Sequence, residues 1–289
     1  QGLGVGGIAQ AHLEVQMSNI YATLDGARRY LGLAADQTSD DDLLLVLLGA
    51  ASRLIEGYAG RRFYPQRATR HYTASDPFRL LLGADLLALH SLTNGDGRAI
   101  APDAVHLEPA NESVSACLLL DRTRAAFVHG GDPVGAIAVE GTWGYHPAWA
   151  DAWQDSGDSV QDDPLAADAV ALTVSDADGA GFAVGQLLRV GEEYLHVLAV
   201  DALADTLTVA RGANGTAAAI HDQGAAIAIY APPEDVRQAC LRVTHWLYKQ
   251  PDAGFVQRAG GLRGEVIVPP ALPDDVRQIL EPLVRVRVA

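Results

Sequence analysis

The sequence predicts an α+β protein in which a discontinuous helical core, made of N-terminal helices and a later C-terminal helix, carries two inserted antiparallel β units. Three observations lead to this prediction. Helical spacing of apolar residues occurs near both ends of the chain. Short β-type segments separated by turn residues fill two central regions. The helices at either end are too few to form a core alone, so we expect them to pack together.

The 289 residues therefore divide into seven predicted segments. They are a leader or extension at 1–16, N-terminal helices at 17–62, a β unit at 63–150, an acidic linker at 151–168, a small barrel-like β unit at 169–231, a helix at 232–252, and an extended arm with a short C-terminal helix at 253–289. Because the leader precedes the only methionine, Met17 is a candidate for the native start, and the leader would come from a tag, an upstream start or an extended reading frame. Its G-x-G-x-x-G pattern lacks the preceding strand that a dinucleotide site needs.

The N-terminal helices are predicted over 22–34 and 39–59. Thr23 is a suitable N-cap for the first, and Ser39 with Asp42 resembles a capping box for the second. The acidic run 40–42 fits a helix start, where the dipole favours negative charge, better than a metal site. Leucines widen the apolar stripe of the second helix, which indicates burial on more than one side, by its own core or by a neighbouring subunit. Gly60 is the expected C-cap.

The β units are predicted from short segments and turn signals. TNGDG at 93–97 is typical of a hairpin turn, and Gly191 is expected to connect two strands of the second unit. Residues 147–168 show no regular period, so we expect a linker or surface excursion there. The later helix is predicted over 233–250, and the last helix starts near Asp274 and is interrupted at Pro282.

Composition excludes several classes of function. The formal net charge of −15 argues against a protein that binds nucleic acid by neutralising phosphates. Cys117 and Cys240 have no partners at zinc-ligand spacing, and we expect two buried thiols and no cofactor or metal. No apolar run is long enough for a membrane span. No nucleophile elbow, P-loop or zinc-protease motif is present, so we do not expect an enzyme.

Three blocks of sequence carry a resemblance to a known family. YATLDGARRYLGLAADQTSDDDLLLVLLGAASRLIEGYAGRRFYP, PEDVRQACLRVTHWLYKQPDAG and LPDDVRQILEPLVR occur in that order. They resemble the head–tail connector (adaptor) proteins of long-tailed double-stranded-DNA bacteriophages. The segment from Ser175 to His221 is similar to a small β module of phage structural proteins. The chain departs from the compact, mostly helical members of the family by its two β insertions.

The resemblance implies a structural virion protein at the head–tail junction, assembled in the host cytoplasm. It implies a homo-oligomeric ring, with a dodecamer expected, that binds portal protein on one face and the tail or a downstream connector on the other. DNA would pass through the ring without sequence-specific binding. An acidic protein around this channel would repel the duplex and let it slide.

The stretch IEGYAGRRFYP supplies the first candidate contact residues. A basic pair at the junction of helix and β unit suits carboxylates on a neighbouring subunit or on portal. Solvated surface and an internal salt bridge are the alternatives for this pair. The candidate oligomer or portal interface comprises Arg53, Arg61, Arg62, Tyr64, Arg285 and Arg287.

A second hypothesis makes the β units carbohydrate- or host-binding modules on a virion surface. Sugars stack on exposed aromatic rings, and four aromatic residues near the linker are the candidates for a stacking platform: Trp143, Tyr145, Trp149 and Trp153. The competing interpretation is that the first two fill the β core and the others brace the linker.

Overall fold

The computed structural model describes residues 19–34, 36–249 and 272–285. Its α+β fold contains four α-helices in these ranges: α1 (Leu24–Leu31), α2 (Asp41–Ala59), α3 (Glu234–Lys249) and α4 (Asp274–Leu280). The strands are β1 (Gln66–Tyr72), β2 (Arg79–Thr93), β3 (Val105–Glu108), β4 (Ser115–Leu120), β5 (Ile137–Trp143), β6 (Trp153–Ser159), β7 (Ala171–Thr173), β8 (Leu187–Val190), β9 (Glu193–Asp201), β10 (Thr206–Ala210) and β11 (Ala226–Tyr230). The predicted leader and most of the predicted arm lie outside the described residues.

The four helices share one hydrophobic core, as the sequence predicted. Leu44, Leu48 and Ile55 of α2 are fully buried, and they belong to the same cluster as Val236 of α3 and Val276 of α4. The two β units have their own separate clusters of buried residues. Helices from opposite ends of the chain therefore form a single core. In the sequence, both β units lie between these helices.

The predicted helix ends are mostly correct. The Thr23 side chain accepts from the backbone N–H of Gly26 at 3.1 Å, and Gly60 ends α2 in the left-handed conformation. The predicted capping box is wrong: Asp40 is the N-cap of α2, and its side chain makes no capping bond. The Ser39 hydroxyl lies within 3.3 Å of the Asp40 carboxylate instead.

The first β unit is a five-stranded antiparallel sheet in the order β1-β5-β2-β4-β3. The turn at 93–97 forms, but it closes only a single bridge between Thr93 and Ala99 and not a long hairpin. Asn94 is not in a positive-φ conformation there. Its buried side chain donates to the carbonyl of Ala126 and accepts from the N–H of Val128, so it ties the turn to a neighbouring loop.

The second β unit is a six-stranded antiparallel sheet in the order β6-β11-β8-β9-β10-β7. The prediction of an irregular linker is wrong for β6, which pairs with β11 at one edge. The N–H of Gln161 donates to the carbonyl of Thr173, and Asp158 accepts from Ser175, so the two edges of the sheet approach each other. The sequence of β6, WQDSGDS, lacks apolar alternation because an edge strand needs little burial.

The two β units are held together at a close backbone contact. Gly215 has a φ of +81°, and a β-carbon there would lie 2.1 Å from the carbonyl oxygen of Arg67 in β1. The adjacent Asn214 exchanges two amide hydrogen bonds with Asn19, at 2.8 and 2.7 Å. The turn at 213–215 therefore binds both the first β unit and the segment that leads into α1.

Candidate functional site: an arginine cleft

The residues after α2 are fixed by hydrogen bonds from three directions. The N–H of Phe63 donates to the Tyr21 hydroxyl at 3.0 Å, and the Phe63 carbonyl accepts from the Tyr230 hydroxyl at 2.7 Å. The carbonyl of Arg62 accepts from the N–H of Tyr145 at 2.8 Å. The backbone of residues 62–63 is therefore held in place, and it directs the neighbouring arginine side chains to one surface.

That surface is a cleft of about 440 Å³ between the end of α2, the first β unit and the C-terminal segment. Five arginines and two carboxylates line it. We call it the arginine cleft and define it by Arg53, Arg61, Arg62, Arg70 and Arg285, with Glu56 and Asp85. Five cations against two anions make the cleft a positively charged site in a chain of net charge −15.

Asp85 is shared by two of the arginines. Its Oδ1 lies 3.3 Å from Nη1 of Arg61 and 2.8 Å from Nη2 of Arg285. Arg285 also donates to the carbonyl of Gly83 and, through its backbone N–H, to the carbonyl of Ala59. The Arg61 guanidinium lies 4.1 Å from the centre of the Tyr145 ring. These two arginines therefore stabilise the junction between α2, β2 and the C-terminal segment.

The remaining arginines do not pair with Asp85. Arg53 pairs with Glu56 at 2.7 Å and is about half exposed. Arg62 is exposed and donates to the side chain of Gln66. The guanidinium of Arg70 lies 4.1 Å from the centre of the Trp143 ring. Within the described ranges, neither Arg62 nor Arg70 forms an ion pair, so both retain donors for an external anion.

A buried tyrosine, Tyr21, forms a hydrogen bond with Glu56, one of the two carboxylates of the cleft. The Tyr21 hydroxyl donates to Oε1 of Glu56 at 2.6 Å. Burial raises the pKa of Tyr21, and the adjacent Glu56 charge raises it further. Burial also raises the pKa of Glu56, although Tyr21, Arg53 and Arg62 act in the opposite direction. Glu56 is thereby held by groups inside the protein and is not directed outward as a ligand.

Four of the six predicted contact residues line the cleft: Arg53, Arg61, Arg62 and Arg285. The ring of Tyr64 is instead buried, so it lies behind this surface. Arg287 lies outside the described residues. Sequence reasoning missed Arg70, which lies on β1. The signal available was the alternation of side chains along a strand, which places Arg70 on the same face of β1 as Gln66, the partner of Arg62.

A second ionic cluster lies sealed inside the second β unit. Arg211 binds both carboxylate oxygens of Glu193, at 2.7 and 2.8 Å, and His221 lies 2.8 Å from the same carboxylate. The backbone N–H groups of Gly212 and Ala219 also donate to Glu193. Burial raises the pKa of Glu193, but these hydrogen bonds outweigh it and lower the pKa to about 2. The cluster is closed to solvent, so we assign it a role in stability.

The four candidate aromatics do not form a stacking platform. Trp143 is buried in the first β unit and donates to the carbonyl of Ala68. Tyr145 packs edge-to-face on Phe63. Trp149 and Trp153 meet at a steep angle, and Trp153 also packs on Tyr194 and Tyr230. Trp143, Tyr145 and Trp153 are therefore engaged by protein groups, and Trp149 alone does not form a stacking platform.

Other chemical groups show no arranged site in the part of the chain that the structure describes. Cys117 and Cys240 are buried free thiols, as predicted. No group of three His, Cys, Asp or Glu residues is placed to hold a metal ion within the described ranges. No helix among the described residues is long and apolar enough to cross a membrane.

The chain is similar to known proteins in structure but not detectably in sequence. No protein-family model matches the sequence, and no curated protein matches it significantly. The chain is similar to a chain of a solved structure described as the neck of an empty GTA particle computed with C6 symmetry. That similarity has a TM-score of 0.42 at 16% identity, and it covers 93% of this chain and 92% of the other.

Proposed function

We propose that this protein is a structural neck component of a phage-like particle, a head–tail connector that forms a ring between portal and tail. It carries out no catalytic step. DNA passes through the ring, and the copy number we propose is twelve. Its partners are its own copies, the portal protein and the tail or a downstream connector.

One observation carries the proposal. The three sequence blocks that resemble connector proteins lie far apart in the chain, yet they fold into a single helical core. Ser52 of α2 lies 3.6 Å from the thiol of Cys240 in α3, and Arg242 of α3 pairs with Asp275 of α4. The resemblance therefore describes one structural unit and not three unrelated helices.

The outer face of α2 supports self-assembly. Leu43, Val46, Leu47 and Ala50 follow helical spacing on one side of α2. Leu43 and Val46 are 49% and 43% exposed. A ring of identical subunits needs head-to-tail contacts on surfaces that a monomer would leave open. We propose that this apolar face lies in such a contact.

Measuring the mass of the full chain tests the proposal. Native mass spectrometry and sedimentation velocity should be recorded with and without the portal protein of the same particle. We expect rings, either of the chain alone or only on portal. A strict monomer that also ignores portal would refute the connector function.

A pair of substitutions tests the outer face of α2. Val46→Asp should reduce the assembled fraction at least tenfold because it places a charge within an apolar contact. Leu203→Asp is the matched control, since Leu203 is fully exposed on the second β unit. Circular dichroism must show both variants folded. Equal assembly of the two variants would show that the outer face of α2 is not part of the subunit contact.

A further inference from the structure

The charge of this chain is unevenly distributed between its parts. Residues 151–231 hold thirteen Asp and Glu residues against Arg189 and Arg211. This segment therefore carries a net charge of −11, and the rest of the chain carries only −4. The arginine cleft lies outside this segment, at the end of α2 and on β1. The molecule thus has a basic cleft and an acidic β unit.

The acidic charge includes exposed side chains on β6 and on the segments that flank it. Asp151 precedes the edge strand β6, Asp155 lies within it, and Asp163 follows it; all three are exposed. We call these three residues the acidic edge. Among the described residues, none of the three forms an ion pair, although Asp155 accepts a hydrogen bond from the nearby N–H of Gly157. Asp158 and Asp162 are less exposed and accept backbone hydrogen bonds from Ser175 and Thr173, which tie distant parts of the β unit together.

Among the described residues of one copy, two surfaces of opposite charge therefore have no ion-pair partners. Arg62 and Arg70 present donors in the cleft, and the acidic edge presents carboxylates on another unit. Arginine favours planar carboxylate partners, which it can bind through two parallel hydrogen bonds. A head-to-tail ring brings different surfaces of neighbouring copies together.

We infer that, in the proposed ring, the arginine cleft of one copy receives the acidic edge of the next copy. The inference rests on the proposed function and adds a chemical basis for subunit recognition and orientation. It identifies Arg62 and Arg70 as the recognition residues of the cleft. Arg61 and Arg285 hold the cleft in shape through Asp85.

The properties of the cleft favour a carboxylate over a DNA phosphate backbone. Its volume of about 440 Å³ accepts a few side chains, whereas a rigid duplex cannot enter it. Glu56 and Asp85 in its wall would repel an extended polyanion, while a few carboxylates can bind beside Arg62 and Arg70. A net charge of −15 further disfavours attraction of a duplex to the whole chain.

Charge exchange in the full chain tests the inference, with assembly measured in the presence of portal. Arg62→Glu with Arg70→Glu should reduce the assembled fraction at least tenfold. Asp155→Arg with Asp163→Arg should do the same. A chain carrying all four reversals should assemble again, because each cleft then meets an edge of opposite charge. Arg98→Glu is the control, since Arg98 is exposed outside the cleft and should leave assembly unchanged.

Each outcome is decisive. Arg62→Glu alone serves if the double variant fails to fold, because the exposed Arg62 side chain donates to Gln66 and forms no ion pair among the described residues. The inference would be overturned if assembly were insensitive to the reversals, or if the fourfold variant did not restore assembly. Either result would leave the proposed ring itself standing. If Arg62→Glu assembled normally but lost binding to duplex DNA, the cleft would be a phosphate-binding site, and the inference would also be overturned. A wild-type chain that never assembles would refute the proposed function itself.

Discussion

The arginine cleft and the sealed cluster of the second β unit have the same chemistry but opposite surroundings. In the sealed cluster, one carboxylate receives Arg211, His221 and two backbone N–H groups, and the Glu193 side chain is fully buried. In the cleft, three of the five arginines pair with the two carboxylates, and Arg62 and Arg70 form no ion pair among the described residues. The first arrangement satisfies its charges internally, whereas the second leaves donors available.

This difference separates stability from recognition. A buried carboxylate that loses its partner leaves an uncompensated charge, so the sealed cluster must remain complete. Exposed charges contribute little to folding, but they orient partners and exclude wrong ones. Substitutions in the sealed cluster should therefore reduce stability strongly, whereas substitution of the exposed Arg62 in the cleft should change stability little.

The largest effect should come from the sealed cluster. Glu193→Gln should lower the free energy of unfolding by roughly 3–5 kcal/mol, because Arg211 would remain buried without its counter-ion. Urea denaturation followed by circular dichroism measures this change. Glu192→Gln is the control, since its side chain is 89% exposed and should change stability by less than about 0.5 kcal/mol. Similar values for the two variants would show that the cluster is not the stabilising element.

Acid should weaken the second β unit through a different residue. Burial lowers the pKa of His196 to about 4, and the nearby Asn214 side chain only partly opposes this effect. The unfolded chain binds the proton near pH 6.5, so stability is complete above that pH and falls as pH drops towards 4. The expected loss is about 3 kcal/mol over this window.

Unfolding measured at several pH values checks this window. Glu193, with a pKa of about 2, keeps its charge throughout the window and should not contribute. His196→Leu should remove the corresponding part of the decline, and His106→Leu, at an exposed position, should retain it. An unchanged slope in His196→Leu would contradict the assignment.

An intermediate effect is expected at the shared carboxylate of the cleft. Asp85→Asn should cost about 1–2 kcal/mol, because Arg61 and Arg285 lose a partly buried charged acceptor. Thermal unfolding provides the measurement. Asp103→Asn is the control: its pair with Arg124 is exposed and should contribute less than about 1 kcal/mol. A larger loss for Asp103→Asn would mean that Asp85 does not stabilise the junction.

The smallest effect on folding is expected at the open side of the cleft. Arg62→Glu should change the free energy of unfolding by less than about 0.5 kcal/mol, because the side chain is exposed. Chemical denaturation tests this value independently of assembly. A loss of several kcal/mol would place Arg62 with the structural arginines and remove the contrast between the two sites.

The helices could be predicted from the sequence because their signals are local. Thr23, Gly60 and the apolar spacing of α2 act within a few residues of the elements that they define. Strand β6 could not be predicted, because an exposed edge strand lacks the apolar alternation that marks a half-buried one. Its pairing with β11 depends on residues about seventy positions away in the chain.

The candidate site was only partly predictable for the same reason. Arg61 and Arg62 follow a recognisable helix end, whereas Arg70 reaches the cleft through the register of β1 and β5. Neighbouring positions also have different burial: Tyr64 is covered two residues after the exposed Arg62. Glu193 gave a weak signal, since it precedes Leu195 and Val197 on the inward side of β9. Its partners Arg211 and His221 could not be recognised from spacing alone.

The backbone contact at Gly215 has a consequence for the geometry of a closed ring. Because no side chain separates this turn from Arg67, the second β unit can approach the first more closely than any other residue at position 215 would allow. Each subunit of a closed ring must be rotated from its neighbour by the same amount, and small errors in that rotation add up around the circle. In the ring that we propose, the absence of a β-carbon at Gly215 would thus help to determine how many subunits complete the circle.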